Sequence, residues 1–264
     1  MMLAPARPPR PARRLRFVDG LAACGLAGGV PVIAEIKART PRHGDLLRGR
    51  DPKHIARDYA AAGATCLSVV TGRWFGGSRS LLERVAAASA LPILRKDFIR
   101  TPAELRRSRE LGADAVLLTA GLLRRTRLEE LVSEALDLGL APFVEVTTPD
   151  ELTAARDSRS PVIAVNNRDI ASKECDGEGL GRSARLIRHR RAERGGAERE
   201  SAERGTDRES PERGTDRTLW VSASGLDTAA DVRAALALGF DAVLIGTALL
   251  RARDAGAALG ALIR

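Results

Sequence analysis

Aromatic residues are scarce in this 264-residue chain, which holds two Trp, one Tyr and five Phe, or 3% of its positions. A core made almost without them must come from Ala, Leu, Val and Ile, and the 44% hydrophobic content supplies these. That composition suits a layered interior filled by aliphatic side chains. Cysteine is rarer still. Cys24, Cys66 and Cys175 lie far apart, with no CxxC spacing and no companion His pair, so no metal site and no disulfide framework is expected, and a reducing cytoplasm fits. No run reaches the roughly 18 consecutive apolar residues of a membrane span, so no membrane partner is expected. Acidic residues are missing from residues 1–16, where Arg7, Arg10, Arg13, Arg14 and Arg16 are interleaved with Pro and Ala. No apolar stretch of signal-peptide length follows, so this segment reads as a disordered basic tail rather than a nucleic-acid-binding arm or a transit peptide. Much of the formal charge of +9 sits there, and no nucleic-acid partner is inferred from it.

What is present is a recurring unit. Short apolar runs without polar alternation fall at Val32–Ile36, Cys66–Val70, Ile93–Leu94, Ala115–Leu118, Pro142–Val146, Val162–Val165, Leu219–Val221 and Ala242–Ile245, as buried parallel strands should. Apolar residues at helical spacing lie between them, such as Ile55, Tyr59 and Ala62, or Leu128, Leu131, Val132, Ala135 and Leu138. Asp51-Pro52, Thr101-Pro102 and Pro149-Asp150 place a cap or a first-turn proline before helical runs. Gly63, Gly112, Gly139 and Gly239 stand where helices should stop. Leu111-Gly-Ala-Asp-Ala-Val-Leu-Leu returns as Leu238-Gly-Phe-Asp-Ala-Val-Leu-Ile, as two copies of one helix-to-strand turn would. Eight such alternations in a chain of this length predict an α/β protein, a single (β/α)8 TIM barrel over residues 17–264 with a short N-terminal helix.

One segment breaks the pattern. Residues 188–217 are dominated by Arg, Glu, Gly, Ser and Asp, and ERGTDR at 203–208 repeats at 212–217. Its opposite charges nearly cancel and it has too few apolar side chains to offset ordering entropy. A disordered, low-complexity insertion before the seventh strand is expected, against the alternative of a charged solvated helix.

In a barrel the chemistry sits where strands end and the following loops begin. The first strand ends in Glu35-Ile36-Lys37, the third in Arg95-Lys96-Asp97-Phe98, the fifth in Glu145, the sixth in Asn166-Asn167-Arg168 and the seventh in Ser222-Ala223-Ser224-Gly225. Alternation sends Glu35 and Lys37 to one side of their strand and Ile36 to the other. A single terminal charge is usually a solvated rim residue, but two lysines converging with two carboxylates supply acid and base partners. Ser224-Gly225 after the seventh strand and Gly246-Thr247 after the eighth let backbone N–H groups approach a phosphate.

These residues resemble the indole-3-glycerol phosphate synthase family over roughly 15–187 and 218–264. The resemblance rests on VIAEIKARTP (32–41), FGGS (75–78), LPILRKDF (91–98), ELGADAVLLTAGLL (110–123), LGLAPFVEV (138–146), VNNRDI (165–170), VSASG (221–225) and AVLIGTALL (242–250). It implies decarboxylating ring closure of 1-(2-carboxyphenylamino)-1-deoxyribulose 5-phosphate in tryptophan biosynthesis, with carbon dioxide and water released and no metal or organic cofactor. The implied partner is thus a small anilino sugar phosphate, taken up by a monomer, with other enzymes of the pathway as further partners. By the same resemblance Lys96 is the general acid on the ribulose carbonyl oxygen, and Glu145 and Lys37 manage later proton transfers. Glu35 and Asn166 position these groups and hydrogen-bond substrate hydroxyls. Phe75, Phe98, Arg168 and Ser224 contact the substrate, and Gly225, Gly246 and Thr247, with Lys37, hold the phosphate.

The chain departs from the family at Ala223, where the family reads Ser-Glu-Ser-Gly. Thr40, Arg42 and Ala248 likewise replace serines. Ala223 can neither transfer a proton nor hold a lysine charged. Two other readings follow from this: a paralogue acting on a related aryl-amino sugar phosphate, or a non-catalytic barrel that binds phosphate ligands or protein partners. Retention of two lysines in a pocket argues against the last.

Overall fold

The computed structural model describes residues 15–168, 179–188 and 218–264. Eight strands carry the architecture: β1 (Val32–Ile36), β2 (Cys66–Val70), β3 (Ile93–Lys96), β4 (Ala115–Thr119), β5 (Ala141–Val146), β6 (Val162–Asn166), β7 (Leu219–Ala223) and β8 (Ala242–Ile245). Each pairs in parallel with its neighbour in the chain, and β8 closes on β1. The predicted barrel is therefore present. Strands β1, β2 and β8 have the bounds expected from sequence, whereas β3, β4, β6 and β7 run further, into Lys96, Thr119, Asn166 and Ala223. The hydrogen-bonded ladder outlasts the apolar run because the closed barrel pairs these strand-end residues too.

Helices α1 (Arg16–Leu26), α2 (Pro52–Ala61), α3 (Arg79–Ala86), α4 (Pro102–Glu110), α5 (Arg125–Asp137), α6 (Pro149–Asp157), α7 (residues 181–188), α8 (Ala229–Leu238), α9 (Thr247–Arg251) and α10 (Ala255–Ile263) complete the fold. Their starts follow the expected punctuation. The Asp51 carboxylate accepts from the Lys53 N–H, and Thr101 and Glu104 form a reciprocal capping box, each satisfying donors that a helix start leaves open. The repeated Leu-Gly-x-Asp string proves to be one device used twice. Asp114 accepts from the Ile93 N–H at 3.0 Å and Asp241 from the Trp220 N–H at 2.8 Å, so each carboxylate pins the start of the preceding strand.

Two apolar layers result. Outward residues such as Val32, Ala34, Ile36, Leu67 and Val116 pack under the helices. Inward residues such as Ile33, Leu94, Leu117, Phe143, Val221, Ala223 and Leu244 fill the barrel, together with Phe17, Val18 and Leu21 of α1. That helix plugs the end where strands begin: the Phe17 ring meets Phe143 edge-on, 6.3 Å between centroids. Arg16, expected to end the basic tail, instead opens α1, because its guanidinium pairs with Asp114 at 3.2 Å and donates to the Ala90 carbonyl. The rest of the expected tail, Cys175, and the expected insertion from residue 189 onward lie outside the described residues.

Candidate active site

The barrel tilt brings four odd-strand residues to one level. In an eight-stranded barrel of shear 8, neighbouring strands are offset by about one residue, so inward positions two strands apart lie level when shifted by two. Glu35 aligns through Ser68 with Leu94, so Lys96 is its level partner; the same step leads to Glu145, then Ala223, then back to Glu35. Distances agree with this ring. Lys96 Nζ lies 3.7 Å from Glu35 Oε2 and 3.8 Å from Glu145 Oε2, and Lys37 Nζ lies 2.9 Å from Glu35 Oε1. The four side chains are buried or nearly so, Lys96 being the most open at 11%.

Two ammonium groups thus face two carboxylates in a nearly dry mouth. Burial is the largest influence on Glu35 and pushes its acidity down, but Lys37, followed by Lys96, more than offsets it and holds the carboxyl below its ordinary range. Glu35 is therefore a fixed anion that keeps both lysines in place. The level seat opposite Lys96 is Ala223, fully buried among the interior aliphatics. Charge in the mouth is balanced without a third acid.

The next level up, from even strands, holds Val70, Thr119, Asn166 and Gly246. Gly246 is required there by close approach: a Cβ on it would stand 2.6 Å from Glu35 Oε1 and 2.9 Å from Glu35 Cβ. Beside it, Glu35, Lys37, Arg168, Ser224, Gly225, Gly246 and Thr247 line a small cleft that opens to solvent. The bend at its edge uses two consecutive positive φ angles, 67° at Ser224 and 70° at Gly225; for Ser this is an uncommon conformation that surrounding contacts must hold.

Asn167 supplies those contacts. Its Nδ2 donates to Ser222 Oγ and to the Ala223 and Ser224 carbonyls at 3.0 to 3.2 Å, and its Oδ1 accepts from the Ser183 N–H. A second scaffold surrounds Lys96. Arg95, pointing outward, donates to Thr71 Oγ1, Ser108 Oγ and Asp97 Oδ2, and Thr71 donates to Asp97 at 2.7 Å. These bonds tie the end of β3 to β2 and α4, fixing the strand that presents Lys96.

The structure accordingly brings together Glu35, Lys37, Lys96 and Glu145, with Asn166 buried on the adjoining strand. Arg168, Ser224, Gly225, Gly246 and Thr247 meet at the cleft. Phe75, in a short 3-10 turn after β2, stands 5.7 Å from Lys37 Nζ. Phe98, half-buried after β3, is anchored by its N–H to Asp97. Sequence reasoning gave no role to Asn167, Ser68 or Thr119. Alternation marks the last two as inward, but a hydroxyl in an aliphatic run gives no other signal.

Fold and site define a (β/α)8-barrel enzyme whose lysine and carboxylate mouth adjoins a glycine-lined cleft on its last two strands. Residues 6–195 match the protein family described as Indole-3-glycerol phosphate synthase, and the chain belongs to that family. An indole-3-glycerol phosphate synthase of Pyrococcus abyssi is 38% identical over 225 residues, 85% of this chain and 87% of the relative. One from Leifsonia xyli subsp. xyli is 38% identical over 244 residues, 92% and 80% of the two chains. Among solved structures, the tryptophan synthase alpha chain of Legionella pneumophila superposes with a TM-score of 0.62 at 12% identity, covering 94% of this chain and 95% of that one. At that identity the likeness shows the fold alone.

Proposed function

We propose that this chain closes the indole ring of indole-3-glycerol phosphate from 1-(2-carboxyphenylamino)-1-deoxyribulose 5-phosphate, releasing carbon dioxide and water. The observation that carries this reading is Lys96 suspended between Glu35 and Glu145 beside the cleft of β7 and β8. The phosphate occupies that cleft, against the Gly225 and Gly246 backbone, with Lys37 close to it. Lys96 protonates the carbonyl oxygen as the carboxylated ring carbon attacks the carbonyl carbon. Loss of carbon dioxide restores the aromatic ring, and loss of the new hydroxyl as water is assisted by Glu145 and Lys37. Asn166 holds a hydroxyl of the sugar chain, while Phe75 and Phe98 border the anilino ring and Arg168 closes the cleft side. The enzyme works without metal or organic cofactor, as a monomer in the cytoplasm.

Ala223 supports a second reading, in which the substrate is a related aryl-amino sugar phosphate, because an acidic group is missing from the ring of four. One experiment separates the two. Purified protein is given the carboxyphenylamino-deoxyribulose phosphate and indole fluorescence is followed, beside the Lys96→Met and Ala223→Glu variants. Turnover is expected, abolished by the first change and raised by the second. No product from the wild type or from Ala223→Glu would refute the first reading.

A further inference from the structure

We propose that Thr119 is a substrate-binding residue whose hydroxyl, with the amide of Asn166, recognises a secondary alcohol of the sugar chain. The assignment of a sugar-phosphate substrate rests on the reading above; the alcohol contact itself rests on the following geometry.

Thr119 ends β4, two residues beyond the inward-facing Leu117, and lies opposite Glu145 in the strand register. It is 8% exposed, and its Oγ1 is buried without a hydrogen-bond partner among the described residues. Burying a hydroxyl unpaired is costly, so such groups ordinarily find a backbone or side-chain acceptor. Asn166 repeats the anomaly on the other side of Glu145: its Oδ1 accepts from the Arg168 N–H, but its Nδ2 has no partner among the described residues. Both atoms belong to one level of the barrel, and the other two seats of that level are Val70 and Gly246, which offer no polar side chain. Two unpaired groups therefore flank Glu145 where the barrel opens.

Their chemistry narrows the ligand. An amide NH₂ only donates, whereas a hydroxyl both donates and accepts. A ligand alcohol that accepts from Asn166 and donates to Thr119 satisfies both at once; a ketone or an anion would use only the donors. On the far side of Asn166 stands Ala223, with no polar group to share the task. Recognition along this arc of the mouth therefore falls on Thr119 and Asn166.

The test compares Thr119→Val, which keeps the shape, with Thr119→Ser, which keeps the hydroxyl. Removing a contact made equally in the bound substrate and the transition state raises KM without lowering kcat. Thr119→Val should therefore raise KM about tenfold with kcat within about threefold, the size of one hydrogen bond, and Thr119→Ser should restore KM. The melting temperature of ligand-free Thr119→Val should equal or exceed that of the wild type, since an unpaired hydroxyl is removed. A structural hydroxyl would lower it instead. Calorimetric binding of the non-reacting alditol, made by reducing the substrate carbonyl, is measured on the same proteins. Wild-type turnover with unchanged KM and alditol affinity in Thr119→Val would overturn this proposal and leave the reaction intact. Alditol binding weakened about tenfold in Thr119→Val, without wild-type turnover, would sustain the contact and sink the reaction. Failure of the wild type both to turn over and to bind would remove both.

Discussion

Replacing Lys96 by Met removes an ammonium while keeping nearly the same volume, so the change isolates charge from packing. Lys96 stands 3.7 Å from Glu35 and 3.8 Å from Glu145, whose side chains are only 3% and 2% exposed. Breaking a buried ion pair by deleting one partner costs about 3–5 kcal/mol. Here neither contact is a short hydrogen bond, and Glu35 keeps Lys37 at 2.9 Å, so a cost of about 3 kcal/mol, the lower end, is expected at pH 8. For a chain of this size that lowers the melting temperature by about 10 °C. The cost should depend on pH. In the wild type Glu35 lies below its ordinary range, so its stabilisation is present above the unfolded-state pKa and disappears only when acid titrates the folded group. Without Lys96, Glu35 loses one of the two cations that offset its burial, so its carboxyl shifts upward instead. A carboxyl raised above its unfolded value destabilises at high pH and ceases to do so once pH falls below that value. The gap between variant and wild type should therefore narrow from pH 8 to pH 5, because the variant's Glu35 takes up its proton at higher pH than the wild type's. Thermal melts by circular dichroism at four pH values, with indole fluorescence for activity, provide the readout. A melting shift of equal size at every pH, or a variant more stable than the wild type at pH 8, would refute the reasoning.

Phe17→Ala empties the plug beneath the barrel, where Phe17 is fully buried against Phe143. A loss of about 3–4 kcal/mol is expected, seen as a lower urea midpoint, with turnover at 20 °C nearly unchanged because the mouth is at the other end. Gly246→Ala drives a methyl group to 2.6 Å from Glu35 Oε1, so Glu35 must leave its place between the lysines. Steady-state kinetics should show kcat/KM reduced by about tenfold or more, the loss of at least one positioned charge contact.

The catalytic level shows how far reading the chain can reach. Glu35, Lys37, Lys96 and Glu145 were legible because each follows an apolar run that can only be a buried strand, and strand ends are where a barrel places its chemistry. Asn166 was legible for the same reason. Asn167, its neighbour, has the same composition but the opposite direction, and its role in holding the Ser224 bend depends on β7 being the adjacent strand. Thr119 and Ser68 sit inside aliphatic strings, where nothing local distinguishes a hydroxyl that finds a partner from one that does not. The Leu-Gly-x-Asp repeat was visible as a string, yet that its aspartates clamp neighbouring strands required the pairing itself.

Local order was thus determined by the chain alone: apolar runs, caps and stop glycines settle which residues form strands and helices, since those preferences act within a few residues. Only closure of the barrel decided which side chains meet. Lys96 reaches Glu35 and Glu145 because shear shifts alternate strands by two residues and brings three distant segments level, a geometric consequence of joining β8 to β1 that no single segment contains.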